Sequence, residues 1–179
     1  MLTILNGDMW RRYLFVLTFA WWMGGLTFYA LVVIPTAEHV LGNHRDVGFI
    51  TQQVTIWLNL SGFVPLLVLL WNLIADWGFA GRWFRYGLTG TWVLMLVSHL
   101  GLFAAHSWVS RILDIPNHRI YDFDSFEVRH AVYEGIVTVQ WTAALIHSWL
   151  ALVTWRTRDR SLVKLAHLDP AGEPARCLT

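Results

Sequence analysis

Three of the eight histidines lie in or beside long apolar segments: His99, His106 and His147. His99 and His106 are seven residues apart, so a helix presents them on one face. A buried imidazole can bind a haem or a metal ion, which makes His99 and His147 candidate cofactor-binding residues. The alternative is structural, with each ring hydrogen-bonded to Ser, Thr or a backbone carbonyl of a neighbouring helix.

The depths of these two rings differ if their helices cross a membrane in opposite directions. Counting about 1.5 Å per helical residue from the outer ends places His99 near the level of Gln140. The same count places His147 deeper. The two histidines are therefore poorly matched as the axial ligands of a single haem.

A second candidate site lies at the outer boundary of the apolar segments. His130 and Glu134 are four residues apart and share a helix face, His106 is about one turn deep, and His39 follows the end of the first apolar segment. Imidazoles with a carboxylate suit copper, zinc or iron, so these four residues are candidate metal ligands. Solvated and hydrogen-bonded roles are the alternative.

The segments that position these residues are long and apolar. The chain has 179 residues, of which 56% are hydrophobic and 14% are charged, whereas soluble domains have about 25% charged residues. A membrane span needs roughly 20 apolar helical residues. The sequence predicts four spans, at about 13–34, 54–75, 86–110 and 131–155. We therefore expect an all-α, integral membrane four-helix bundle that forms a single domain over residues 1–160.

The flanking charges predict the orientation of this bundle. Lys and Arg are more numerous on the side that holds both chain ends, so the positive-inside rule places the N and C termini in the cytoplasm. Four spans then run up-down-up-down in a bacterial cytoplasmic (inner) membrane, and residues 161–179 form a flexible cytoplasmic tail. Because the net charge is only +1, a nucleic acid is not expected as a partner.

Two local patterns predict details of the second and fourth helices. Pro65, beside Gly62, predicts a kink within the second span. Asp124 followed by Glu127 resembles a capping box and predicts that the fourth helix begins near Ser125, above the membrane. No Asp, Glu, Lys or Arg lies in the centre of a span, which argues against a self-contained ion-coupled transporter.

Three passages resemble a bacterial four-span family of unknown function. They run from Trp21 to Pro35, from Val54 to Leu60 and from Tyr133 to Trp141. That family is similar in layout to copper-resistance D membrane domains and, more distantly, to the four-span bacterial protoporphyrinogen oxidase. The oxidase carries a haem-ligating histidine in its first span and a functional lysine in its third. This chain has neither, so the resemblance does not imply oxidase activity.

Two functions are expected from these features. The first is a non-enzymatic accessory or interaction protein of a membrane complex, whose partners are the lipid bilayer and either other membrane protein subunits or further copies of the same chain. The second is a metal-binding or haem-binding membrane protein with the outer-face site His39, His106, His130 and Glu134 and with copper or haem as its cofactor.

Overall fold

The computed structural model describes residues 2–114 and 119–168. Its backbone is almost entirely helical, as the sequence predicts. The helices are α1 (Leu2–Phe28), α2 (Ile34–Leu41), α3 (His44–Ser61), α4 (Phe63–Ala75), α5 (Arg82–Ser110) and α6 (Phe123–Leu168), with a π-helical turn at Tyr29–Val33 between α1 and α2. A two-residue ladder joins β1 (Leu113–Asp114) to β2 (Arg119–Ile120), with Leu113 paired to Ile120 and Asp114 to Arg119.

Four helical segments are long and apolar enough to cross a membrane. They are Gly7–Leu41, Asp46–Ala75, Arg82–Ser110 and Asp124–Lys164. The prediction of four long, apolar helices that could span a membrane is therefore confirmed. The longest segments exceed the roughly 20 residues that cover the apolar core of a bilayer.

The second span is interrupted where the sequence predicts a kink. Helix α3 ends at Ser61, Gly62 forms a turn, and α4 begins at Phe63. The Gly62 amide donates to the carbonyl of Asn59 at 3.2 Å. Pro65 has no amide proton and cannot bond to the carbonyl four residues earlier, so the backbone departs from regular α-helix here.

The fourth span begins slightly earlier than the sequence predicts. Helix α6 starts at Phe123, and the Asp122 carboxylate accepts hydrogen bonds from the Ser125 amide at 3.0 Å and from its hydroxyl at 2.5 Å. The prediction that Asp124 caps this helix is therefore wrong, because Asp122 caps it. At its other end α6 continues to Leu168, so residues 161–168 of the predicted tail are helical, and 169–179 lie outside the described residues.

The core lies where α5 packs against α6 and against the second span. Met95 and Ala144 are fully buried at the α5–α6 contact, and Leu69 of α4 and Phe15 and Trp22 of α1 complete the apolar centre. A small residue on one helix admits a large one from the next: a Cβ placed on Gly87 would lie 3.0 Å from Leu150. These contacts set the register of the interior polar groups along α5 and α6.

Candidate functional site

His99 lies in the centre of the bundle with 1% of its surface exposed. The Gln140 side-chain amide contacts its Nδ1 atom at 2.9 Å, which confirms that these two residues share a level. Three aromatic rings pack edge-on against the imidazole: Phe63 at 4.7 Å, Phe103 at 5.6 Å and Trp22 at 6.4 Å between ring centres. The histidine is therefore held in position from four sides.

The contact with Gln140 matches one tautomer of a neutral ring. The amide nitrogen of Gln140 is a donor, so Nδ1 of His99 accepts and a neutral ring carries its proton on Nε2. That Nε2 atom is buried, and no described residue makes a hydrogen bond of normal geometry to it. The backbone of Asn59 lies close enough to interact electrostatically with the ring.

The interruption at Gly62 makes room for His99. A Cβ placed on Gly62 would lie 2.5 Å from Cε1 of His99 and 3.0 Å from Nε1 of Trp22. A side chain at this position would force the imidazole away from Gln140. Glycine is thus required here by the close approach of the ring to the backbone of the second span.

A second polar contact joins the second and fourth spans beside this histidine. The Tyr133 hydroxyl donates to Oδ1 of Asn59 at 3.1 Å, and Asn59 is itself buried. Asn59 lies about one turn before the interruption at Gly62. The contact of Tyr133 with Asn59 is therefore at the level where the second span departs from regular helix. Interhelical hydrogen bonds of this kind contribute roughly 0.6 kcal/mol each in membranes, and up to about 2 kcal/mol.

His147 lies in a different environment from His99. Its Nδ1 atom and the Thr91 hydroxyl are 2.9 Å apart. It also lines a cavity of about 10 Å³ together with Asn72, Asp76 and Thr154. That volume is about the size of one water molecule, and the polar lining could hydrogen-bond to a water. The two candidate cofactor-binding histidines are therefore in separate parts of the interior.

The predicted outer-face ligands are only partly brought together. His130 Nε2 lies 3.1 Å from Glu134 Oε1, with 47% and 66% of the two side chains exposed, as expected for an i, i+4 pair. His106 instead contacts the backbone carbonyl of Gln52 at 3.0 Å, and His39 is exposed in the last turn of α2. Within residues 2–114 and 119–168, no three His, Cys, Asp or Glu side chains are close enough to hold a metal ion.

A charged cluster that the sequence does not predict closes one end of the bundle. Asp76 accepts bonds from the Arg11 guanidinium at 2.8 and 2.9 Å, from Arg158 at 2.8 Å and from the Trp155 indole at 2.8 Å. Arg11 also donates to Asn72 Oδ1 at 2.8 Å. Arg11, Asp76 and Arg158 are all buried, so three charges from three spans meet out of contact with solvent.

Two further carboxylates complete this cluster. Asp8 bonds to Arg158, and Asp159 bonds to Arg12 at 2.7 and 2.8 Å in a more exposed pair. Burial penalises the charged form of Asp76, but the bonds and charge of Arg11 and the bond from Arg158 outweigh that penalty. The pKa of Asp76 therefore lies below its ordinary value. Its carboxylate is charged at neutral pH, and the cluster links the first, second and fourth spans.

No protein-family model, curated protein or solved structure matches this chain. The similarity to copper-resistance D membrane domains in layout therefore stays a prediction.

Proposed function

We propose that this protein is a non-enzymatic accessory protein of a bacterial cytoplasmic membrane that binds a transmembrane helix of another subunit. Its four helices would run up-down-up-down with both termini in the cytoplasm. Two contacts support this topology: Arg11 with Asp76 joins the start of the first span to the end of the second, and Arg129 with the Trp108 carbonyl joins the fourth to the third. The excess of Lys and Arg at the end that holds the termini supports the orientation.

The observation that carries the proposal is the exposure of the first span. In its most apolar window only 11% of the residues are buried inside the bundle, against 28–33% in the other three spans. Ala20 and Gly24 lie on this exposed surface four residues apart, and a Cβ on Gly24 or Gly25 would meet no atom within 4 Å. Small residues at this spacing let the backbones of two membrane helices approach closely.

The chemistry of this surface matches an apolar helix rather than a polar ligand. Trp21 and Phe28 are both more than half exposed beside the small residues, so a helix seated over Gly24 would pack between two large side chains. Van der Waals packing of this kind drives helix association in lipid, where the hydrophobic effect between helices is absent.

The test compares two exposed helical glycines. Gly24→Leu fills the space over the first span, whereas Gly90→Leu adds the same side chain to an exposed site on α5 that also has no neighbour within 4 Å. Both tagged variants and the wild type are purified from native membranes in mild detergent. We expect a stoichiometric membrane partner with the wild type and Gly90→Leu and its loss with Gly24→Leu.

Two results would reject this function. One is a wild-type protein that purifies as a lone monomer. The other is a partner retained equally by both variants. Co-expression of two differently tagged copies identifies the partner as a second copy of the chain if they purify together.

A second candidate function is supported by the close contact of His130 with Glu134. Their side chains present an imidazole nitrogen and a carboxylate oxygen toward each other in an exposed position, and such a pair is part of a copper or zinc site when further ligands approach. Elemental analysis and a reduced-minus-oxidised spectrum of the purified protein test it. Stoichiometric metal or a haem band that disappears in His130→Ala with Glu134→Ala would support it, and a blank after reconstitution would reject it.

A further inference from the structure

The structure divides the cations at the cytoplasmic end into two groups. Arg11, Arg12 and Arg158 are bonded to Asp8, Asp76 and Asp159. These three carboxylates therefore form ion pairs within the bundle. The positive charges of the first group are compensated by them and are not available to a partner.

The second group is exposed. Arg82, Arg156, Arg160 and Lys164 all lie on the surface, and no described carboxylate is bonded to any of them. We refer to these four residues as the cationic face. Arg85, one turn further along α5, stacks over Trp77 at 5.7 Å.

The cationic face draws its residues from two helices, α5 and α6. Arg156, Arg160 and Lys164 follow each other at intervals of four residues, so they lie along one side of α6. The α5–α6 register is fixed by the contacts of His99 with Gln140 and of Thr91 with His147. Continued by about two and a half turns, this register sets Arg82 at the level of Arg156.

The height of these residues matches the headgroup region of a bilayer. Arg156 directly follows the apolar span, and Arg160 and Lys164 lie roughly 6 and 12 Å further along the helix. Beside Arg82, Trp83 is 85% exposed and Tyr86 is 68% exposed. Aromatic rings of this kind lie at the boundary between hydrocarbon and headgroups.

We propose that the cationic face binds the headgroups of anionic phospholipids in the cytoplasmic leaflet. That leaflet carries a negative surface potential, and juxtamembrane Lys and Arg are attracted to it. A phosphate close to α6 would meet a guanidinium or ammonium group that is not paired with a carboxylate of the protein. The preference for anionic lipid thus depends on the exposed cations and not on the buried cluster.

The experiment uses the full chain reconstituted with equal amounts of phosphatidylglycerol and phosphatidylcholine. The protein is re-extracted in mild detergent, and the ratio of the two lipids that remain bound is measured by mass spectrometry. We expect the wild type to be enriched in phosphatidylglycerol and the enrichment to fall as salt is added. Each cation removed should lower the relative affinity by about fivefold.

The variants are Arg160→Gln, the triple change Arg156→Gln with Arg160→Gln and Lys164→Gln, and Arg111→Gln as the control. Arg111 is an exposed arginine at the opposite end of α5, so its change alters the net charge by the same amount as Arg160→Gln. The triple change should remove the enrichment, and Arg111→Gln should preserve it. If the triple variant is not monodisperse, Arg160→Gln alone decides the result.

Three outcomes would overturn the inference: no enrichment with the wild type, full enrichment with Arg160→Gln, or an equal loss with Arg111→Gln. None of them bears on the helix-binding surface at Gly24, which lies on the first span. The lipid site and the proposed accessory function therefore fail independently.

Discussion

Replacing Asp76 with asparagine keeps the shape of the side chain but removes the negative charge that two buried arginines share. Asp76 accepts four hydrogen bonds, two from Arg11 and one each from Arg158 and Trp155. In the variant, Arg11 and Arg158 would remain in the interior with a weaker acceptor. Breaking a buried ion pair by removing one partner costs about 3–5 kcal/mol. Asp8 still bonds to Arg158 and lies 3.5 Å from Arg11, so we expect the lower end, about 3 kcal/mol.

The assay is unfolding of the purified protein by increasing SDS in mixed micelles, followed by tryptophan fluorescence. Asp159→Asn is the matched control, because Asp159 pairs with Arg12 near the same end but is half exposed. An exposed pair contributes less than about 1 kcal/mol. We expect a large shift of the midpoint for Asp76→Asn and a small one for Asp159→Asn. Equal shifts for the two variants would refute the view that burial makes the Asp76 cluster important for stability.

Three other predictions use the same titration. The pKa of Asp76 is lowered in the folded protein, so its contribution to stability is complete above the ordinary pKa and is lost as the pH falls through the lowered pKa. Acid should therefore destabilise the wild type more than Asp76→Asn. Parallel pH profiles of the two proteins would contradict this. Gly62→Ala should lower the free energy of unfolding by about 1–3 kcal/mol, because its Cβ would lie 2.5 Å from the His99 ring. Gly90→Ala should leave that free energy unchanged or raise it. The reverse order of the two variants would contradict the packing around Gly62. Gln140→Leu should cost about 1 kcal/mol through the lost bond to His99, and an unchanged midpoint would show that this bond contributes nothing.

The positions of the histidines illustrate how far sequence reasoning reaches. Counting residues along two helices predicts that His99 lies at the level of Gln140, and the structure confirms it because the rise per residue is fixed. The aromatic rings around His99 are not predictable in this way. Their approach depends on how the second span packs after its interruption at Gly62.

The outer-face residues show the opposite case. The i, i+4 spacing of His130 and Glu134 is local to one helix, so their contact follows from the sequence. Whether His106 joins them depends on the loops and on the neighbouring helix. In the fold, the carbonyl of Gln52 contacts the His106 ring instead.

The sequence by itself determined the four apolar helical segments, the interruption near Pro65 and the pairing of residues one helical turn apart, because hydropathy and helical periodicity are local properties. Only the tertiary structure decided which charges are buried together. Asp76 meets residues 65 positions earlier and 82 positions later in the chain, and no local pattern encodes such a meeting. The packing of the helices also determined which arginines are paired with carboxylates and which remain exposed on the surface.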